Sequence, residues 1–314
     1  MKELTAYKKL GICAAILASL CCTACAQQTQ NAQIEPSSNS TTSAVASDAS
    51  LEMVSKSARC ESYVNGLIYQ NSAEVAGLQK QAYELAEYKL KEKLANFTNA
   101  GKKPALISDI DCTLISDAAF IAQAIDKQEN WDNGPWDGYY DALQTTACSP
   151  LPGALEFMKK AADQGLEIFY ITNRDNDQHD LTVAQLKHWG FPYADDDHVL
   201  VMNKEGDSNK TERRNKVLET HEVLMYFGDN IGDFTADFKP QMGAVERTKM
   251  ALDEQYAQKW GDSWIVLPNS TYGDYVSAAW NKQKNISAAD KIKMIKELVK
   301  HYDYQNPQYE NWYK

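Results

Sequence analysis

The chain lacks the features that announce several common functions. It has no basic excess: 32 Lys and Arg stand against 43 Asp and Glu, a formal net charge of −11 at pH 7. That balance argues against nucleic-acid polymers and anionic lipid surfaces as partners, since both demand a cationic face. None of its five histidines, His179, His188, His198, His221 and His301, sits in a motif, and all read as surface or packing residues. No Cys/His spacing reads as a zinc site, because CCTAC (21–25) lies in the N-terminal leader. No internal repeat is visible. The N-terminal apolar run, LGICAAILASLCC at 10–22, is too short to span a bilayer comfortably.

That run follows Lys8 and Lys9 and is followed by polar residues, the pattern of an export signal over residues 1–25. Two processing readings stand. Ala24-Cys25-Ala26 suits cleavage before Gln27. CCTAC resembles a bacterial lipobox with Cys25 lipidated, although Cys22 replaces the usual Leu, and this second reading is preferred. Residues 26–58, rich in Gln, Asn, Ser, Thr and Ala, read as a disordered tether. The expectation is an exported protein of the cell envelope, lipid-anchored to a bacterial membrane at the periplasm or cell surface. Cys60 and Cys148 could pair in an oxidising compartment, or both could be buried thiols.

The remainder, 44% hydrophobic overall, has material for a core. Residues 60–96 are helical, with Val75, Leu78, Ala82, Leu85 and Leu90 as the apolar stripe. Short apolar runs then alternate with helical patterns. PALISD, LEIFYITN, HVLVMN, EVLMYFGD and SWIVLPN read as strands. PGALEFMKKAADQG, DLTVAQLKHWG, KTERRNKVLET and ISAADKIKMIKELVKHY read as helices. This order predicts an α/β fold, a parallel sheet with helices on both faces and a site at the carboxyl ends of its strands.

The strand ends carry the chemistry. In SDIDCTLISD (108–117), Asp109 and Asp111 stand two apart, with Thr113 two further on. On one strand they would share a face and repel, so a metal, a shared proton or a separating turn must intervene. The next strand ends in Thr172, Asn173 and Arg174. Lys210 opens a helix, where a cation is electrostatically misplaced, and GDNIGDF supplies Asp229 and Asp233. Each aspartate alone reads as a helix cap or loop end. The ordered set reads as a centre for a hard divalent cation, with Lys and Thr for phosphate oxygens. On that chemistry Asp109 attacks phosphorus, and Asp111 protonates the leaving oxygen and later deprotonates water.

These motifs resemble the haloacid dehalogenase (HAD) superfamily of phosphohydrolases, with its Rossmannoid sheet and small cap. FYITNR, GDNIGDF, LPNSTYGDY and YQNSAEVAGLQKQAYELA resemble its class C acid phosphatases, bacterial lipoproteins that include 5′-nucleotidases. The resemblance runs from about residue 60 to 282. It implies a phosphatase domain over 59–282, a cap drawn from 59–100 and 117–150, and a C-terminal helix and tail over 283–314. It implies Mg²⁺ as cofactor, held by Asp109, Asp111 (through its backbone carbonyl), Asp229 and Asp233. It further implies phosphate binding at Thr172, Asn173 and Lys210, and an aromatic clamp of Trp136 and Tyr272 for a base or phenyl ring. Tyr139 could also line the pocket. Small phosphomonoesters, nucleoside monophosphates and aryl phosphates, are the expected substrates, with an acidic optimum, and a homodimer is compatible. Cys112 stands where the family usually has Glu, and Phe120 where it has Tyr, which bears on substrate preference.

Three rival functions stand beside this one. Carbon–halogen hydrolysis on this fold generally dispenses with the second aspartate, so Asp111 argues against it. Phosphotransfer to an alcohol would use the same site. A surface lipoprotein that only binds ligands has no evident need for Asp109 and Asp111 together.

Overall fold

The computed structural model describes residues 64–98, 100–127 and 148–299. A helical stretch at 64–70 leads into α1 (Ala73–Asn96), capped by the Ser72 hydroxyl accepting from the Val75 N–H. β1 (Lys103–Ser108), α2 (Ala118–Lys127), α3 (Ala154–Asp163), β2 (Glu167–Ile171), α4 (His179–Trp189), β3 (Val199–Leu200), α5 (Thr211–Thr220) and β4 (His221–Gly228) follow. Then come α6 (Ala244–Leu252), a short α7 (Glu254–Ala257), β5 (Trp264–Val266), a short α8 (Asp274–Ala278) and α9 (Ala288–Val299). The five strands form one sheet in the order β3-β2-β1-β4-β5, every neighbour parallel. The predicted α/β class and strand set are those observed. The third strand is shorter than HVLVMN, since after Leu200 the Met202 N–H turns to the Arg174 carbonyl.

The strands alternate between two cores. Leu106, Ile168, Tyr170, Met225 and Phe227 face a large one shared with α1, α3 and α4. Ala105, Ile107, Phe169 and Ile171 face a smaller one closed by Val217 of α5. Burial on both faces explains why these strands read as continuous apolar runs. In the large core the rings of Tyr83, Phe157 and Phe227 lie 5.1–5.8 Å apart between centroids.

The face of α1 corrects the sequence reading. Leu78 and Leu85 are exposed, and the buried line is Val75, Gln79, Tyr83, Ala86 and Leu90. Tyr83 takes the inward position because its ring fills the core while its hydroxyl donates to the Thr113 carbonyl at 2.5 Å. Among the described residues, no helix is long and apolar enough to cross a membrane.

The strands run outward from β1 through β2 to β3 and then, on the other side of β1, through β4 to β5, which puts the switch point of the sheet between β1 and β4. In open parallel sheets this crevice, outside the carboxyl ends, is where ligands bind.

Candidate active site

β1 delivers Asp109 to that crevice, its N–H still bonded to the Phe227 carbonyl of β4 at 2.9 Å. The chain then leaves the sheet. The N–H groups of Leu114 and Ile115 both fold back on the Ile110 carbonyl, and Cys112 takes a left-handed φ of 56°. Asp109 and Asp111 are thereby separated. Asp109 bonds the Lys210 ammonium and, at 3.4 Å, the Thr113 hydroxyl. Asp111 turns to Arg174, which donates from Nε at 3.0 Å and Nη2 at 2.8 Å to its two oxygens. Arg174 is 3% exposed, and this fork fixes the Asp111 carboxylate in plane.

β4 delivers Asp229, whose carboxylate accepts from Asn269 Nδ2 at 2.8 Å and from Thr113 at 3.3 Å. A tight turn then brings back Asp233, which accepts the Asn230 N–H at 2.9 Å and pairs with Lys210 at 2.7 Å. Gly228 makes this turn fit: a Cβ there would lie 2.4 Å from Asp233. Carboxylate oxygens of Asp109, Asp229 and Asp233 lie within 4.8 Å of one another.

Burial, together with the charges of Asp233 and Asp111, lifts Asp109 to about 6 against the pull of Lys210. Burial and the charges of Asp233 and Asp109 push Asp229 well above the ordinary carboxylate range. Lys210 moves the other way. Burial would lower it, but Asp109 and Asp233 outweigh that and hold the ammonium charged. Three carboxylates against one ammonium leave an excess of buried negative charge. This all-oxygen donor set fits a hard divalent cation, which would offset both the desolvation and the mutual repulsion.

The end of β2 faces the same crevice. The buried Thr172 hydroxyl accepts the Arg174 N–H at 3.2 Å, which leaves its own proton to donate. α5 opens with three cations, where its dipole disfavours them, and each has acceptors. Lys210 meets Asp109 and Asp233. Arg213 reaches Thr172 and Asn173. Arg214 donates to the carbonyls of Gly232 at 2.8 Å and Asp233 at 3.1 Å.

The structure therefore brings Asp109, Asp111, Thr172, Asn173, Lys210, Asp229 and Asp233 to one edge, with the Asp111 side chain on Arg174. Tyr272 lies on the loop after β5, within hydrogen-bonding reach of Asp117 and Cys112. The Cys112 thiol donates to Asp117 at 2.9 Å. Phe120 is buried in the large core. Trp136, Tyr139, Cys25 and Cys60 lie outside the described residues; Cys148 is buried. Sequence reading assigned no role to Arg174, Arg213, Arg214 or Asn269. The excess of arginines beside the strand ends and at a helix start is the signal that could have pointed to the first three; Asn269 carries none.

Residues 23–275 match the family described as HAD superfamily, subfamily IIIB (Acid phosphatase). The chain belongs to this family. Two solved structures of the class C acid phosphatase from Bacillus anthracis share the fold. The tungstate-bound one is 30% identical, with a TM-score of 0.70, over 78% of this chain and 99% of that one. The other is 28% identical, with a TM-score of 0.69 and the same coverage. A curated Bacillus cereus protein named as a putative nucleotidase is 36% identical over 70 residues, 22% of this chain and 37% of that protein's own length. The family is one of phosphomonoester hydrolases.

Proposed function

We propose that the chain is a Mg²⁺-dependent acid phosphatase that hydrolyses small phosphomonoesters, nucleoside monophosphates and aryl phosphates, through an aspartyl-phosphate on Asp109. One observation carries the reading: Asp109 sits at the switch point among Asp229, Asp233 and Lys210, while Asp111 is held apart on its own arginine. Asp109, Asp229 and Asp233, with the Asp111 backbone carbonyl, would hold the Mg²⁺, which supplies charge neutralisation for phosphate oxygens. Thr172 and Lys210 donate to those oxygens. An Asp109 oxygen forms a bond to phosphorus as the ester P–O bond breaks, and the departing oxygen takes the Asp111 proton. Asp111 then takes a proton from water as the water oxygen attacks phosphorus, which returns phosphate and the free Asp109 carboxylate. The Tyr272 hydroxyl, pushed well above its ordinary value by burial, stays protonated throughout. Tyr272 and Trp136 would flank the base or ring of the ester, where stacking is sequence-tolerant.

Export and lipid anchoring at Cys25 belong to the same proposal. They are tested by radiolabelled fatty-acid incorporation into the wild type and its absence in Cys25→Ser.

The deciding experiment is phosphate release from nucleoside monophosphates and p-nitrophenyl phosphate, with Mg²⁺ or EDTA, beside Asp109→Asn. Release that needs both the metal and Asp109 is the expected result, and an added alcohol acceptor separates hydrolysis from transfer. Absence of release by folded, Mg²⁺-loaded protein would overturn the reading.

A further inference from the structure

Arg213 stands one turn into α5, three residues after Lys210, and is only half-exposed. Its guanidinium does not enter the carboxylate cluster. Nη1 donates to the Thr172 carbonyl and, at 3.5 Å, to the Leu200 carbonyl; Nη2 donates to Asn173 Oδ1 at 2.7 Å and the Asp207 carbonyl at 3.4 Å. One side chain thus ties together the ends of β2 and β3 and the loop before α5. Two of its four acceptors belong to the pair of residues read as phosphate ligands.

The Asn173 contact has a chemical consequence. A guanidinium has only donors, so the Asn173 atom facing it must be the carbonyl oxygen. The amide nitrogen then points the other way. Among the described residues it has no hydrogen-bond partner, and Asn173 is exposed at the mouth of the crevice. Thr172 shows the same division of labour, its hydroxyl occupied as an acceptor by the Arg174 N–H and left with a proton to give. Both side chains are thus left as donors, Thr172 by a backbone N–H and Asn173 by the Arg213 guanidinium.

We propose that Arg213 is a positioning residue for the phosphate subsite: it fixes the Asn173 carboxamide with its N–H₂ toward the substrate's phosphoryl oxygens and anchors the Thr172 backbone beside it. Arg213 does not touch the ester; it sets which face of Asn173 the anion meets. The inference rests on the phosphatase reading for its ligand, an orthophosphate monoester, but not on turnover.

The test is a double-mutant cycle on the full chain with Mg²⁺. Arg213→Ala, Arg213→Lys, Asn173→Ala and Arg213→Ala/Asn173→Ala are compared for orthophosphate affinity by calorimetry and for KM and kcat on p-nitrophenyl phosphate. Loss of one charge-assisted contact predicts about tenfold weaker orthophosphate binding and a matching rise in KM for Arg213→Ala, with a smaller change in kcat. Arg213→Lys is expected to resemble Ala, because a point cation cannot reproduce the fork to Thr172 and Asn173. In the Asn173→Ala background, Arg213→Ala should cost less than about threefold.

Additive losses, or wild-type binding by Arg213→Lys, would overturn the proposal. Either would mean that Arg213 acts through charge or general stability. Thermal unfolding of each variant, with Asn173→Ala as the exposed-site control, separates misfolding from lost positioning. A wild type that binds orthophosphate but releases none from esters would sink the phosphatase reading and leave this one standing. A wild type that binds no orthophosphate would sink both.

Discussion

Two glycines in GDNIGD make opposite predictions. A Cβ on Gly228 would sit 2.4 Å from both Cβ and Oδ2 of Asp233 and 2.7 Å from its Cγ. Carbon atoms rest about 3.5–4.0 Å apart, so in Gly228→Ala the Asp233 side chain must retreat by roughly 1 Å. Asp233 has no slack for that move. One oxygen holds Lys210 at 2.7 Å and the other accepts the Asn230 N–H at 2.9 Å, so retreat breaks the turn, the ion pair or both. A misplacement of this size in a reacting array costs about 10²-fold in rate, and the overpacking costs about 1–3 kcal/mol in stability. The control lies four residues on. A Cβ on Gly232 would meet only Asp274 Oδ2, at 3.8 Å, an ordinary contact. Phosphate release from p-nitrophenyl phosphate under saturating Mg²⁺, with thermal unfolding of the same samples, reads both quantities. Gly228→Ala is expected to lose about two orders of magnitude while folded, and Gly232→Ala to stay within about threefold of wild type. Near-wild-type activity in Gly228→Ala, or equal losses in the two variants, would refute the claim that this close approach shapes the site.

Three further outcomes follow from the geometry. Arg174→Ala strips the Asp111 carboxylate of its fork, so kcat should fall by about 10²–10³-fold, and Arg174→Lys should recover only part of it. Full activity in either variant would remove Arg174 from the acid–base machinery. Burial lifts the Asp117 carboxyl to about 6, above the ordinary aspartate range, although the Cys112 thiol donates to it. The folded chain therefore holds this proton more tightly than the unfolded one. Its stabilising share is complete below about pH 4 and is lost as pH rises through 6, a cost of up to about 3 kcal/mol at neutral pH. Asp117→Asn should raise the Tm more at neutral pH than near pH 4, and equal changes at both would count against the assignment. Tyr83→Phe leaves the Thr113 carbonyl without its 2.5 Å donor and should cost about 1–3 kcal/mol in denaturant unfolding; no loss would mean that water replaces the hydroxyl.

The sheet was legible because parallel strands buried on both faces write uninterrupted apolar runs, and because a polar residue at each run's end is hard to explain by packing. LEIFYITN and EVLMYFGD show both features, and the site edge follows from them. The face of α1 was legible only in part: Val75 and Leu90 are buried as read. Periodicity counts aliphatic residues, and it favoured Leu78 and Leu85, which are exposed. The chain instead buries Tyr83, whose polar tip has a partner 30 residues away in sequence. Arg174 and Arg213 were hidden for a similar reason. An arginine after a strand or in a helix looks like a solvated charge until the sheet order brings β2 beside β1 and α5 behind β2. Pairings such as Arg174 with Asp111, 63 residues apart, are set by strand register, which has no local signature.

The two aspartates of DIDCT pose the problem that the fold then resolves. On a continued strand they would share a face, with two charges unrelieved. β1 ends at Ser108, and the turn through left-handed Cys112 sends the side chains to different cations, Lys210 for Asp109 and Arg174 for Asp111. Separation does more than relieve repulsion. A nucleophile must stay ionised while its neighbour gains and loses a proton, and two carboxylates sharing one environment would titrate as a pair. Placing Asp109 beside Lys210 among acidic groups that call for a metal, and Asp111 on a guanidinium outside them, gives each carboxylate its own counter-charge, although the charge of Asp111 still reaches Asp109. The turn that breaks the strand is therefore as much a part of the proposed chemistry as the carboxylates it divides.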